Sequence, residues 1–310
     1  MTMRQAIESA AAIIASHVRV TPVLPLTSRE PALPAGVVLK LECLQHAGSF
    51  KPRGAFHRIL TAEVPSSGVI AASGGNHGLA VAYAARALGL RAEIFVPEIA
   101  SRIKVDRLRA LGAVVNVVGR EYAEALQAQN ARQRETGALE VHAYDQAEVL
   151  AGQGTLAREF EQQAPGLDTV LVAVGGGGLI GGVAGWFEGR TRVIGVEPET
   201  SRALHAALAA GHPVPVEVSG VAADSLGARQ VGKLMFPLAQ RGVEQVVLVT
   251  DEAIRSAQRL LWQEVRLVAE PGGACALSAL LSGAYQPAPG ERVGVIVCGA
   301  NCDPSTVLQT

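Results

Sequence analysis

Two apolar periods alternate along this chain. From Val69 to Val118, short β-branched runs predict strands at Val69–Ala72, Ala92–Val96 and Val114–Val118. Between them, helical spacing predicts helices at Leu79–Leu88 and Ser101–Leu111. Such alternation is the pattern of right-handed β-α-β units on a parallel sheet. A helix Tyr122–Glu135 and a lone strand near Leu139–Val141 close this block. A second series follows from Gln146: helix Gly152–Gln163, strand Thr169–Val174, helix Leu179–Glu188 and strand Arg192–Glu197. Pro213–Gly227 lacks a regular period. Strand Val246–Val249 then leads into a helix Asp251–Leu267 capped by Thr250 or Asp251. Glu270–Gly273 breaks the pattern, helix Ala274–Leu281 resumes it, and strand Val293–Val297 ends it. Ahead of both series stand an amphipathic helix at Ala6–Val18, an extended proline-rich connection Thr21–Pro34, a strand Val37–Glu42 and a helix Arg53–Leu60. The loop Pro65-Ser66-Ser67-Gly68 marks a boundary. The predicted fold class is therefore α/β, with residues 62–145 forming a small domain inserted into a larger one made of 1–61 and 146–310.

Composition narrows the function. A net charge of −1 with both signs interspersed gives no footprint for nucleic acid or an anionic membrane surface, and 4% aromatic residues supply no stacking platform. Four scattered cysteines, none in a Cys-x-x-Cys pair, predict a reducing cytoplasm rather than a disulfide framework. No apolar run approaches the roughly 20 residues of a membrane span.

Amine chemistry has few candidates, because nearly all the positive charge is arginine. Of four lysines, Lys40 sits in a strand, Lys104 among helix charges and Lys233 after a polar run, and these three read as solvated. Lys51 differs. It lies in Gly48-Ser-Phe-Lys-Pro-Arg-Gly54, a backbone-rich turn able to hold an amine still. A desolvated lysine can form a Schiff base or lose its proton, whereas arginine does neither.

Three further loops end predicted strands, where α/β proteins bind ligands. Ser73-Gly-Gly-Asn-His-Gly78 leads into a helix N-terminus and suits a carboxylate, or else is a capping turn with Asn76 as the cap. Gly175-Gly-Gly-Gly-Leu-Ile-Gly181 suits a phosphate. It also contains Gly176-x-Gly178-x-x-Gly181, with Glu197 at the end of the next strand, so a nicotinamide-dependent oxidoreductase is a competing reading. Cys298-Gly-Ala-Asn301 follows the last strand; taken alone, its thiol reads as packing.

Taken together these loops resemble the pyridoxal-phosphate (PLP) enzymes of fold type II, the tryptophan synthase beta subunit-like fold, in the serine/threonine dehydratase and serine racemase branch. The likeness spans nearly the whole chain. It rests on the four stretches above together with Ala151-Gly-Gln-Gly-Thr155, Gly195-Val-Glu-Pro198 and Glu270-Pro-Gly-Gly-Ala274, in the family's order. The resemblance implies that Lys51 carries PLP, Phe50 lies beside it and Asn76 meets its ring oxygen. Gly175, Gly176, Gly177, Gly178 and Leu179 would bind the phosphate, and Cys298 would face the pyridine nitrogen. Ser73, Gly75, Asn76 and His77 would hold the substrate carboxylate. The implied reaction is β-elimination from L-threonine or L-serine to a 2-oxo acid and ammonia, with 3-hydroxyaspartate dehydration and serine racemisation as alternatives. A homodimer is implied as well.

Departures from the family matter too. Gly74 stands where serine racemase has its second base, so racemisation is expected to be weak. Glu197 and Ser201 occupy two positions of the family's divalent-cation site, but Ala203 replaces its aspartate. Val218-Ser-Gly-Val221 replaces an Ala-Asp-Gly-Val segment, and the regulatory domain of biosynthetic threonine dehydratases is not expected.

Overall fold

The computed structural model describes residues 1–26, 36–100 and 102–308. The chain begins with α1 (Met3–Ile14), β1 (Val23–Pro25), β2 (Val37–Lys40) and α2 (Lys51–Leu60). It continues through β3 (Val69–Ala72), α3 (Asn76–Ala87), β4 (Ala92–Val96), α4 (Arg102–Ala110), β5 (Val114–Val117), α5 (Tyr122–Thr136) and β6 (Leu139–Glu140). Then come α6 (Ala147–Gln163), β7 (Thr169–Ala173), α7 (Gly178–Phe187), β8 (Arg192–Pro198), α8 (Ala203–Ala210), α9 (Ala223–Leu226) and α10 (Phe236–Gly242). The last elements are β9 (Gln245–Val249), α11 (Asp251–Val265), α12 (Pro271–Leu281), β10 (Val293–Ile296) and α13 (Ser305–Leu308).

Two sheets result. The larger has the order β1-β2-β10-β7-β8-β9 and is parallel except for β1, which pairs antiparallel with β2; the smaller, β5-β4-β3-β6, is parallel throughout. Helices cover both faces of such sheets, so their central strands read as continuous apolar runs. β3, β7 and β10 are buried along their whole length. Because β2, β10 and β7 are neighbours, the loops leaving their carboxyl ends are brought together.

Several expectations are corrected. The Lys51 turn is the first turn of α2, with Pro52 inside it, so the helix begins two residues earlier than predicted. Proline is tolerated there because a first-turn N–H has no helical partner. Lys40 is not solvated: its side chain is fully buried, with Nζ on Glu159 at 2.5 Å and on the Thr21 carbonyl at 2.7 Å. α6 starts at Ala147 rather than Gly152, and α8 and α10 were not expected as helices. The far part of the Thr21–Pro34 connection and the Ser101 start of a helix lie outside the described residues.

One sequence motif finds its reason in packing. At Gly152 in α6, an added Cβ would stand 2.6 Å from the Arg53 carbonyl oxygen of α2, so only glycine lets the two helices approach this closely. Arg53 itself is buried and grips Glu42 with Nε (2.8 Å) and Nη2 (2.7 Å), while Nη2 reaches Glu159 at 3.0 Å. This buried cluster of two cations and two carboxylates fixes the helix whose first residue is Lys51.

Candidate active site

Lys51 enters the site because its loop is stitched to the end of β10. Phe50 N–H donates to the Cys298 carbonyl (3.1 Å), Ala300 N–H donates to the Gly48 carbonyl (2.9 Å), and Ser49 bridges Gly299. The Lys51 amine lies 5.2 Å from the Phe50 ring centre and donates to the Ala143 carbonyl at 2.7 Å. Burial lowers its pKa to about 8, since a charged ammonium loses hydration there; the Cys298 and Glu270 side chains oppose that shift.

The glycine loop between β7 and α7 lines the same pocket. No side chain caps α7, so its first-turn amides keep their partial positive charge for a ligand. Gly177 has φ +89°, and an added Cβ would strike Met235 at 2.5 Å. Lys51, Phe50, Asn76, Gly175 to Leu179 and Cys298 line one pocket of roughly 470 Å³, part of it open mouth. Cys298 is buried, its Sγ lies 3.4 Å from the Gly272 carbonyl, and desolvation pushes its thiol pKa far up, so it stays neutral.

The third loop joins from the smaller sheet. Asn76 does not act as a cap: Gly75 precedes α3 and no side chain bonds its first turn. Instead Asn76 Nδ2 donates to Glu270 Oε1 at 2.5 Å, and its Oδ1 accepts from Asn301 Nδ2 at 2.7 Å. Ser73 Oγ accepts from the Gly75 N–H at 3.2 Å. The His77 ring turns away to the Val141 carbonyl (2.7 Å), and burial lowers its pKa to about 3, so any ligand contact falls to its backbone. Glu270, Tyr144 and Ser225 also line the pocket and were not singled out from sequence. Glu270 is almost fully buried, and desolvation pushes its pKa up to about 7. The Glu-Pro-Gly-Gly motif was the available signal for it.

Glu197 and Ser201 lie apart from this pocket. Glu197 Oε1 accepts from the Leu204 N–H and Oε2 from the His205 N–H, both at 2.8 Å, and Ser201 Oγ donates to the Leu226 carbonyl. Both carboxylate oxygens thus serve the start of α8, and Ala203 brings no further ligand. These residues do not fit a divalent cation, and no group of three or more His, Cys, Asp or Glu side chains is arranged for one among the described residues. Glu197 is also fully buried, so the dinucleotide reading lacks an accessible ribose acceptor.

An uncapped glycine loop, a desolvated lysine amine and a neutral thiol lining one pocket are the chemistry that suits a phosphorylated carbonyl cofactor. Residues 14–299 match the pyridoxal-phosphate dependent enzyme family, and the chain belongs to it. It is 38% identical to phenylserine dehydratase of Ralstonia pickettii over 94% of this chain and 91% of that one. It is 39% identical to the biosynthetic L-threonine dehydratase of Escherichia coli, covering 91% of this chain but only 56% of that relative. Among solved structures, maize serine racemase superposes with a TM-score of 0.93 at 33% identity, covering 99% of this chain and 95% of that one. The T.th. threonine deaminase gives 0.90 at 36% identity, with 96% and 98% covered.

Proposed function

We propose that this chain is a PLP-dependent ammonia-lyase that eliminates the β-hydroxyl of small 3-hydroxy amino acids of the threonine and serine class. The buried Lys51 amine and the uncapped Gly175–Leu179 loop lining one pocket carry this reading. In it, residues 62–145 form an inserted domain, and the enzyme acts as a cytoplasmic homodimer. When bound, PLP supplies an electron sink for negative charge at the substrate Cα.

The side chains divide the remaining work. Amides of Gly175, Gly176, Gly177, Gly178 and Leu179, reinforced by the α7 dipole, would hold the phosphate. Asn76, fixed by Glu270 and Asn301, would hydrogen-bond the ring oxygen, and Phe50 would shield the ring from water. Cys298 would offer the pyridine nitrogen a neutral thiol, which would not enforce protonation there. The loop Ser73, Gly75, Asn76 and His77 at the start of α3 binds the substrate carboxylate. Lys51, whose free amine is near half-deprotonated at pH 8, takes the α-proton. The Ala143 carbonyl fixes the amine's direction. Gly74 supplies no group for returning a proton to a second face, so racemisation is slow beside elimination.

The test is a panel of 3-hydroxy amino acids of defined stereochemistry, scored for 2-oxo acid release with and without a chelator. Release that needs PLP and ignores the chelator is expected. A PLP-loaded protein inert toward the whole panel would overturn the assignment.

A further inference from the structure

The loop His142-Ala143-Tyr144-Asp145, between β6 and α6, touches both the lysine and the glycine loop. Its Ala143 carbonyl accepts from the Lys51 amine at 2.7 Å. Its Tyr144 ring packs on Gly176, where it leaves no room for a side chain. Asp145 accepts from the Lys233 and Leu234 N–H groups at 3.0 and 2.8 Å, and the Gly232 N–H of that segment donates to the Gly176 carbonyl at 3.0 Å.

One ring nitrogen shapes this loop. His142 Nδ1 accepts from the Tyr144 N–H at 3.2 Å and from the Asp145 N–H at 2.9 Å. Backbone N–H groups only donate, so Nδ1 carries a lone pair and the ring is the neutral Nε2–H tautomer. The Ala143 carbonyl and the Tyr144 N–H belong to one trans peptide plane and point in opposite directions. With the N–H held on His142, the carbonyl is aimed away from the ring, and Lys51 lies there.

We propose that His142 is a positioning residue for the Lys51 base: its neutral ring holds the Ala143–Tyr144 peptide so that the carbonyl meets the amine, and protonation of the ring releases it. The inference rests on the elimination reading above, in which Lys51 takes the α-proton. A proton on Nδ1 would set one donor against two others, so the loop must open. The groups facing the ring are Lys51 of α2, His77 of α3, Glu140 of β6 and Asp145, with the Tyr144 ring edge-on at 4.8 Å. Desolvation holds the ring's pKa below its ordinary 6.5; the Glu140 and Asp145 carboxylates oppose this, and the Lys51 charge reinforces it. His77 stays neutral and adds no charge. The loop is thus closed at neutral pH and opens on the acid side.

Two measurements test this. Histidine-ring proton–nitrogen NMR correlations of the apoprotein, with the His142 signals identified by their loss in His142→Asn, read the tautomer without any turnover. An unprotonated Nδ1 near neutral pH is expected. The second measurement is the pH profile of kcat for 2-oxo acid release, from about pH 8 down to about pH 5.5, across the range where a histidine titrates. His142→Asn should stay within about threefold of wild type at the upper end, because its Oδ1 can accept from the same two N–H groups. Having no titrating ring, it should lose less of its activity at the acid end than the wild type does. His142→Phe, which keeps the ring's bulk without an acceptor, should lower kcat about 10–100-fold at every pH with little change in KM, as expected when a base is misplaced. A ring carrying its proton on Nδ1 in an active enzyme, parallel acid-side losses in the wild type and His142→Asn, or undiminished kcat in His142→Phe overturns this inference alone. Inertness of the wild type toward every 3-hydroxy amino acid overturns the elimination reading, and the base-positioning role with it, even where the ring spectrum is as expected.

Discussion

Lys51 combines chemistry and cost in one residue. Its amine is depressed to about 8 from an ordinary 10.5 because the folded protein desolvates it. The unfolded chain therefore binds more protons between those two values, and apo stability rises with pH across that window. Below about pH 8 the penalty is present in full. Lys51→Met is thus expected to raise the apo Tm at pH 7, a gain that fades by pH 10; an equal shift at both pH values would contradict this. The same depression predicts that the apo protein takes up PLP faster as pH rises through about 8 and then levels off, which absorbance-monitored reconstitution can check. Arg53, two residues on, is the opposite case, since its neighbours leave no room for an uncompensated charge. Arg53→Met would strand the buried Glu42 carboxylate and should cost about 3–5 kcal/mol in denaturant unfolding. Sequence revealed Lys51 because lysine is rare here and its flanks are unusual. It missed Lys40, whose carboxylate and carbonyl partners come from Glu159 and from Thr21 nineteen residues upstream, contacts that no local pattern encodes.

Among the elements, the two helix starts at α7 and α8 separate a ligand site from a structural one. α7 begins on bare glycines with no side-chain cap, whereas α8 begins on both oxygens of Glu197. Gly177→Ala would combine a left-handed backbone with a clash on Met235, and PLP affinity is expected to fall at least about tenfold while far-UV dichroism is retained. Glu197→Ala should instead destabilise the fold by about 1–3 kcal/mol, through stranded first-turn amides, without changing the response to a chelator. Sequence placed most strands to within a residue or two, because buried parallel strands are short apolar runs between glycine and proline signals. It missed α8, whose Ala- and Leu-rich run follows a strand end and is capped from Glu197 rather than from its own first residues. It also took Asn76 as a possible cap, when the side chain's partners, Glu270 and Asn301, lie 194 and 225 positions away.

For the molecule as a whole, sheet order explains why loops far apart in sequence meet. β2, β10 and β7 are adjacent, so Lys51, Cys298 and the glycine loop converge, and β3 brings the Asn76 loop from the second sheet. Across the mouth, Lys104 of α4 pairs with Asp224 of α9, joining elements on the two sheets' sides of the pocket. Exposed pairs of this kind contribute about 0.2–1 kcal/mol, so Lys104→Ala is expected to raise substrate KM by no more than about fivefold. Salt should reproduce part of that effect in the wild type and none in the variant. The alternation of strands and helices made the α/β class legible, and the ordered loops made the family legible.

Which nitrogen holds the cofactor is the central claim. Borohydride reduction of the PLP-reconstituted protein followed by peptide mapping by mass spectrometry tests it most directly. A single pyridoxyl modification is expected on the peptide bearing Lys51, absent from Lys51→Ala. Modification of Lys40, Lys104 or Lys233 in its place, or no modified peptide from a PLP-saturated protein, would contradict it.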